Sequence, residues 1–190
     1  MTLKPPCGAL LAFSAAAVAL ISPAVRADDS MEKAAKIASG SGNVIYLAAG
    51  LGLPLIEDGS HGGVHTARVA DALLVTGAIT EGLKALTREK RPDTDEHNSF
   101  PSGHTSAAFT VATVESAIHP RQGAMWFAGA TAIGLSRIKL KRHHTQDVIV
   151  GALIGIAVGR LEVAQSRGIV FRQWIHNDEP GTPISISHSF

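Results

Sequence analysis

A single cysteine, Cys7, stands in the 190-residue chain, so it offers no disulfide framework and no thiolate metal site. Neither sign of charge is in excess: 17 Lys and Arg face 16 Asp and Glu. Without a general basic field for nucleic acid, any anion preference must rest on a local cluster of Arg and Lys. Strand-like alternation is scarce before the C-terminal tail, and no internal repeat or low-complexity tract stands out. Also missing is an unbroken apolar run of the roughly 20 residues a membrane-spanning helix needs. The longest uncharged stretch, 37–56, is interrupted by Ser39, Gly40, Ser41, Gly42, Asn43, Gly50, Gly52 and Pro54. The stretches 72–80, 105–114, 122–136 and 148–159 are shorter still. Such lengths suit buried helices of a soluble bundle; a small membrane-embedded bundle is the alternative, because glycine and alanine are abundant.

What is present begins with a distinct leader. Lys4 precedes the apolar run 8–21, followed by Pro23 and the small-residue end Val25-Arg26-Ala27 before Asp28-Asp29. This is the layout of a secretory signal peptide, residues 1–27, cleaved after Ala27. An uncleaved anchor is the other reading, although 8–21 is short for a span. Cleavage removes Lys4, Arg26 and Cys7 and leaves 163 residues with 15 basic and 16 acidic side chains. A cysteine-free mature chain fits an oxidising, periplasmic compartment. Hydrophobic residues at 45% are enough for the core of one domain.

Residues 28–166 read as helices joined by short Gly/Pro turns, an all-α domain. Helices are expected at about 31–38, 44–53 (ended by Pro54), 65–90 (ended by Pro92), 103–118, 122–135 and 144–164, with 57–63 a loop by composition. Residues 167–190 differ in kind. The runs 169–175 and 184–187 flank an Asn177-Asp178-Glu179-Pro180-Gly181 turn, a pattern for a small hairpin or an extended C-terminal tail.

Three stretches carry the chemistry. Lys84 and Arg91 are seven residues apart, two helical turns, so both side chains leave a similar face of the long helix and can converge on one anion. Pro101-Ser102-Gly103-His104 lies where a loop becomes a helix, so free N–H groups and the positive end of the dipole can face an anion. Ser102 adds a hydroxyl there, or serves as an ordinary N-cap. His104 would hold a proton to give at neutral pH. Ser136-Arg137 precedes His143 and Asp147. Arg137 offers the planar fork that matches phosphate oxygens. His143 and Asp147 are i and i+4, close enough for the carboxylate to accept the Nδ1–H and leave Nε2 as a nucleophile. His61 and His65 flank two glycines, but with no matching carboxylate or cysteine arrangement they are not read as a metal pair.

In these three parts the sequence resembles the type 2 phosphatidic acid phosphatase and vanadium haloperoxidase superfamily. The family signature is Lys, six residues, Arg-Pro; then Pro-Ser-Gly-His; then Ser-Arg, five residues, His, three residues, Asp. Lys84, Arg91 and Pro92, then Pro101 to His104, then Ser136, Arg137, His143 and Asp147 match it without departure. The resemblance implies a helical bundle of the acid phosphatase/vanadium haloperoxidase type. In it His143 attacks phosphorus to form a phosphohistidine, Asp147 orients it, and His104 protonates the leaving alkoxide and later activates water. Lys84, Arg91, Arg137, Ser102 and the Gly103 N–H hold the non-bridging oxygens, and no metal or cofactor is implied. His144 is out of register and receives no role.

The expected function is therefore a metal-independent phosphatase acting on phosphate monoesters or pyrophosphates, with a phosphorylated lipid or a small soluble ester as substrate. Membrane association stays open, and the sequence does not fix an oligomeric state. Two alternatives use the same pocket: vanadium-dependent halide oxidation, since vanadate resembles the phosphoryl transition state, and non-catalytic binding of a lipid phosphate.

Overall fold

The computed structural model describes residues 29–165 and 168–170. Among these residues there are six α-helices and no strand: α1 (Asp29–Ser39), α2 (Ser41–Glu57), α3 (Gly62–Thr87), α4 (Gly103–Ile118), α5 (Gly123–Lys139) and α6 (Thr145–Ala164). Single 3₁₀ turns, Gly59–His61 and Pro120–Gln122, make the corners before α3 and α5. The expected signal peptide, 1–27, lies outside the described residues, as do residues 171–190 of the expected tail. The described beginning of that tail is anchored: the Ile169 and Val170 N–H groups donate to Asp71 at 2.7 and 2.9 Å, and Ile169 also to Glu162 at 3.0 Å.

The bundle is organised around α4. Val111, Ala112, Ala108 and Val114 of this helix are fully buried, and Val69, Ala72, Trp126, Ala130, Ile133 and Val158 from α3, α5 and α6 close the core around them. Tyr46 of α2 meets Trp126 edge-on at 5.2 Å and donates to the Trp126 carbonyl at 2.7 Å, so its polar end is satisfied inside.

Close approach of α4 and α6 depends on three glycines one helical turn apart. An added Cβ would stand 2.7 Å from the Ser102 carbonyl oxygen at Gly151, 2.4 Å from that of Ser106 at Gly155, and 2.6 Å from Thr113 Cβ at Gly159. Positions rise together along both helices, so α4 and α6 run parallel and their N-termini share one end of the bundle. Hydroxyl pairs fix α3 in the opposite direction: Thr76 with Thr110 at 2.7 Å and Thr80 with Ser106 at 3.0 Å.

Three helix ends differ from expectation. Pro54 does not stop α2, which continues to Glu57. The proline forfeits only one hydrogen bond near the helix end, and its carbonyl still accepts the Asp58 N–H at 3.0 Å. The long helix ends at Thr87 rather than Lys90 because Arg88 adopts a left-handed conformation, φ 47°, and its N–H closes on the Lys84 carbonyl. Arg91 is consequently in a loop, and helical phase is not what aligns it with Lys84. In addition, α5 extends beyond the expected end at 135, to Lys139, and this carries Ser136 and Arg137 on a helix.

The glycine stripe gives a direct test. Gly155→Ala places a methyl against backbone and should lower stability by about 1–3 kcal/mol. Gly77→Ala in α3, where an added Cβ meets nothing within 4 Å, should raise it by roughly 0.5–1 kcal/mol. Urea unfolding of the two variants checks both signs.

Candidate active site

Parallel α4 and α6, with α3 and α5 running against them, bring two helix N-termini and two helix C-termini to one end. Ser102, Gly103 and His104 start α4, and His143 and Asp147 flank the start of α6. Lys84 closes α3 and Arg137 lies in the last turn of α5. Cations at C-termini and anion-accepting N–H groups at N-termini both complement the helix dipoles.

The elements are stitched together at this point. The Ser102 N–H donates to the Asp147 carbonyl at 3.0 Å, joining the two helix starts. A Cβ on Gly103 would come within 3.3 Å of Lys84 Nζ, so the ammonium lies directly over the glycine backbone. Ser102 occupies the N-cap position but makes no side-chain capping bond; its buried oxygen accepts from Thr105 at 2.9 Å. The Phe100–Pro101 peptide bond is cis.

His143 is buried, and its Nδ1 lies 2.8 Å from the Ser99 carbonyl oxygen. A carbonyl only accepts, so Nδ1 carries the proton and Nε2 presents its lone pair. The expected partner, Asp147, is further away, with Oδ2 3.4 Å from Nδ1. That oxygen is occupied elsewhere, by the Ser99 hydroxyl at 2.5 Å and the His144 N–H at 2.9 Å. Asp147 thus positions His143 mainly by holding Ser99 and the turn into α6. Ser99 is the residue the sequence reading missed; a lone serine before Phe100-Pro101 carries no spacing signal.

Each cation is tethered at its outer side. Lys84 Nζ donates to Glu81 at 3.1 Å, and Arg91 Nε donates to Asn98 Oδ1 at 2.5 Å with Glu96 3.5 Å away. Arg137 is buried, with Nη1 bonded to Ser39 at the end of α1, a second contact no motif signals. Its Nε has no hydrogen-bond partner. Burial, then the nearby Arg91 and Arg142, push the guanidinium down to about 10.

The same crowding acts on both imidazoles. Burial pushes His104 down to about 4, helped by Arg137, Lys84 and Arg91; burial with Arg137 and Arg91 does the same to His143 against the opposing pull of Asp147. His104 is therefore neutral at pH 7 in the ligand-free protein, contrary to the expectation of a ready proton. Arg91 and Arg137 act on both rings, so the separated segments lie near one another.

Residues 66–170 match the PAP2 superfamily. The chain belongs to this superfamily. This PAP2 chain is 42% identical over 103 residues to a lipid A 1-phosphatase of Porphyromonas gingivalis, covering 49% of this chain and 22% of that protein. It is 29% identical over 136 residues to lipid phosphate phosphatase 1 of Arabidopsis thaliana, covering 46% and 40%. It thus spans well under half the length of these curated relatives. A crystal structure of Aquifex aeolicus LpxE superposes with a TM-score of 0.56 at 28% identity, covering 72% of this chain and 86% of that one. No single described helix of the PAP2 chain is long and apolar enough to cross a membrane; the bent pair Ser30–Ser39 and Ser41–Glu57 together meet the length and composition required.

Glu89, His144 and Asp147 hold ligand atoms within 4.8 Å of one another at the pocket's edge. Asp147 Oδ2 already accepts two hydrogen bonds, and the surrounding guanidinium groups oppose a dication, so this set fits a metal poorly.

Because both folded-state values lie below the ordinary one, the neutral rings favour the fold above about pH 6.5, and this contribution is lost as pH falls toward 4. NMR titration of His104 and His143 should give ligand-free midpoints near 4 that rise when phosphate or vanadate saturates the pocket. Ordinary midpoints unmoved by the anion would contradict the electrostatic picture.

Proposed function

We propose that the protein is a metal-independent phosphohydrolase that removes phosphate from a phosphorylated lipid through a phosphohistidine on His143. The observation that carries this reading is the buried His143 ring, with Nδ1–H committed to the Ser99 carbonyl and Nε2 free, among three cations at the mouth of two helix N-termini.

In the proposed reaction the substrate phosphate lies against Lys84, Arg91, Arg137, Ser102 and the Gly103 N–H. Burial is the largest cause of the lowered His104 value and Arg137, Lys84 and Arg91 the next; the phosphate charge offsets these cations, which favours protonation of the ring as substrate binds. His143 Nε2 forms the N–P bond while the ester P–O bond breaks, and His104 gives its proton to the departing alkoxide. A water then attacks phosphorus, His104 takes up its proton, and inorganic phosphate leaves with the N–P electron pair returned to His143. The guanidinium and ammonium groups supply the charge stabilisation that a divalent ion provides in other phosphatases.

The lipid assignment draws on the named activities of the relatives, which act on lipid A and on lipid phosphates. A pyrophosphate-linked lipid would meet the same pocket. We place the mature chain outside the cytoplasm at a membrane surface, a location supported by the leader-like layout of residues 1–27 and by the exposed Val44, Ile45, Leu55 and Ile56 of α2.

Phosphate release from lipid phosphates, prenyl pyrophosphates and soluble esters, with and without detergent, tests the class. Lipid phosphates should be preferred, chelators should leave the rate unchanged and vanadate should inhibit. His143→Ala should lower kcat by more than about 10³-fold. Because Ser99 rather than Asp147 fixes the ring tautomer, Asp147→Asn should cost less than the roughly 10⁴-fold typical of a triad aspartate. A strict magnesium requirement, or near-normal turnover in His143→Ala, would refute the scheme.

A further inference from the structure

Beside the catalytic residues a second cavity, of about 470 Å³, opens between α1, the α5–α6 corner and the loop that carries Arg91, a size that suits a small-molecule group. Its charged lining is Glu32 and Lys36 from α1, Asp93 from the loop, and Lys139, Lys141 and Arg142 from the corner. Two of the four cations are committed: Lys36 pairs with Glu32 at 2.8 Å and Arg142 with Asp93 at 2.9 Å. Lys139 and Lys141 are exposed and form no ion pair among the described residues, although Lys139 adds to the pull with which Lys36 holds Glu32 below the usual carboxylate range. Helix α5 ends in paired backbone bonds, the Lys141 N–H to the Ile138 carbonyl at 2.9 Å and the Arg142 N–H to the Arg137 carbonyl at 3.0 Å, so neither lysine is needed to cap those carbonyls. Lys141 stands at the left-handed position of this turn, φ 55°, where glycine is the ordinary residue. The same backbone borders the catalytic residues: Arg142 directly precedes His143, and both Arg142 and Asp93 act on the Arg137 guanidinium. The proposed reaction uses neither Lys139 nor Lys141.

We propose that Lys139 and Lys141, together with Lys36 and Arg142, form a subsite for a second phosphate carried by the same substrate molecule, so that the protein selects lipids phosphorylated at two positions. The inference rests on the phosphatase reading and adds a specificity determinant to it. Four cations against two carboxylates leave an excess that matches the charge of about −2 on a phosphate monoester at neutral pH. Ammonium groups on flexible stems meet phosphate oxygens as point charges, and the Arg142 guanidinium adds charge-assisted donors beside them. Position decides the source of the anion. A free phosphate gains nothing from lying next to the catalytic residues, whereas a phosphate tethered to the scissile one binds as an intramolecular event at high effective concentration. A turn needed only to end α5 would favour glycine at position 141; the lysine there gives up that freedom and brings an ammonium to the cavity.

The test compares a glycolipid bearing two phosphates with the same glycolipid lacking the phosphate remote from the scissile one, each in neutral detergent micelles. Wild-type protein should show a KM about 10-fold lower for the two-phosphate lipid at equal kcat, a preference that shrinks as salt is raised. In the double variant Lys139→Ala with Lys141→Gly, the KM for the two-phosphate lipid should rise to that of the one-phosphate lipid, with kcat and the one-phosphate KM unchanged. Glycine takes the left-handed position without strain and alanine suits the exposed helix end, so the variant should keep its Tm. Adding phosphatidylglycerol to the micelles separates the other source of an anion. If the lysines hold a neighbouring headgroup, the variant loses affinity for both lipids alike and only when that lipid is present, which would overturn the proposal. So would equal KM values in the wild type, or a preference that survives the double change. Equilibrium binding of the two lipids to His143→Ala protein makes the same comparison without turnover. Absence of hydrolysis of either lipid would sink the phosphatase reading, whereas the subsite stands or falls on whether this binding preference exists and is lost in the double change.

Discussion

The near-contact of α4 with α6 is the constraint on which the rest depends. Gly151, Gly155 and Gly159 remove the side chains that would hold the two backbones apart, and the parallel course that results leaves both N-termini at one end. The Ser102 N–H to Asp147 carbonyl bond then locks them in register. With α3 and α5 antiparallel to this pair, their C-termini arrive at the same place carrying Lys84 and Arg137. The pocket is thus a product of helix direction as much as of residue type: positive dipole ends face inward, and the negative ends are matched by cations.

That concentration of positive charge has consequences for every titratable group nearby. Both imidazoles are pushed to about 4 and Arg137 to about 10, and in each case burial is the largest cause and neighbouring cations the next. Peripheral carboxylates on Lys84 and Arg91, Glu81 and Glu96, hold the cations without entering the pocket. In the proposed reaction, a phosphate entering the centre relieves the mutual repulsion of the cations and favours protonation of His104, so that binding and proton supply follow from one charge.

How much the sequence revealed follows from how far apart the interacting residues lie. The helical class and most of its segments were legible because the apolar runs and Gly/Pro breaks are local. The cluster of Lys84, Arg91, Arg137, His104 and His143 was legible because its spacing matches a family signature. Long-range partners were not. Ser99 and Ser39, which hold His143 and Arg137, have no pattern around them. The alignment of Arg91 by helical phase failed because Arg88 turns left-handed, and Pro54 was misread because a proline near a helix end forfeits only one bond. His65 was read without a carboxylate partner although Asp58, seven residues earlier, lies 2.6 Å from its Nδ1; His119, which shares Asp58, is more than fifty residues away.

The central claim is that this geometry makes His143 Nε2 the atom that bonds to phosphorus. Turnover of a radiolabelled phosphate substrate, quenched in alkali to preserve phosphohistidine and mapped by peptide mass spectrometry, tests it most directly. The account predicts label on the peptide bearing His143, chased off by unlabelled substrate. Label on His104, or turnover at full rate with no labelled peptide, would contradict it.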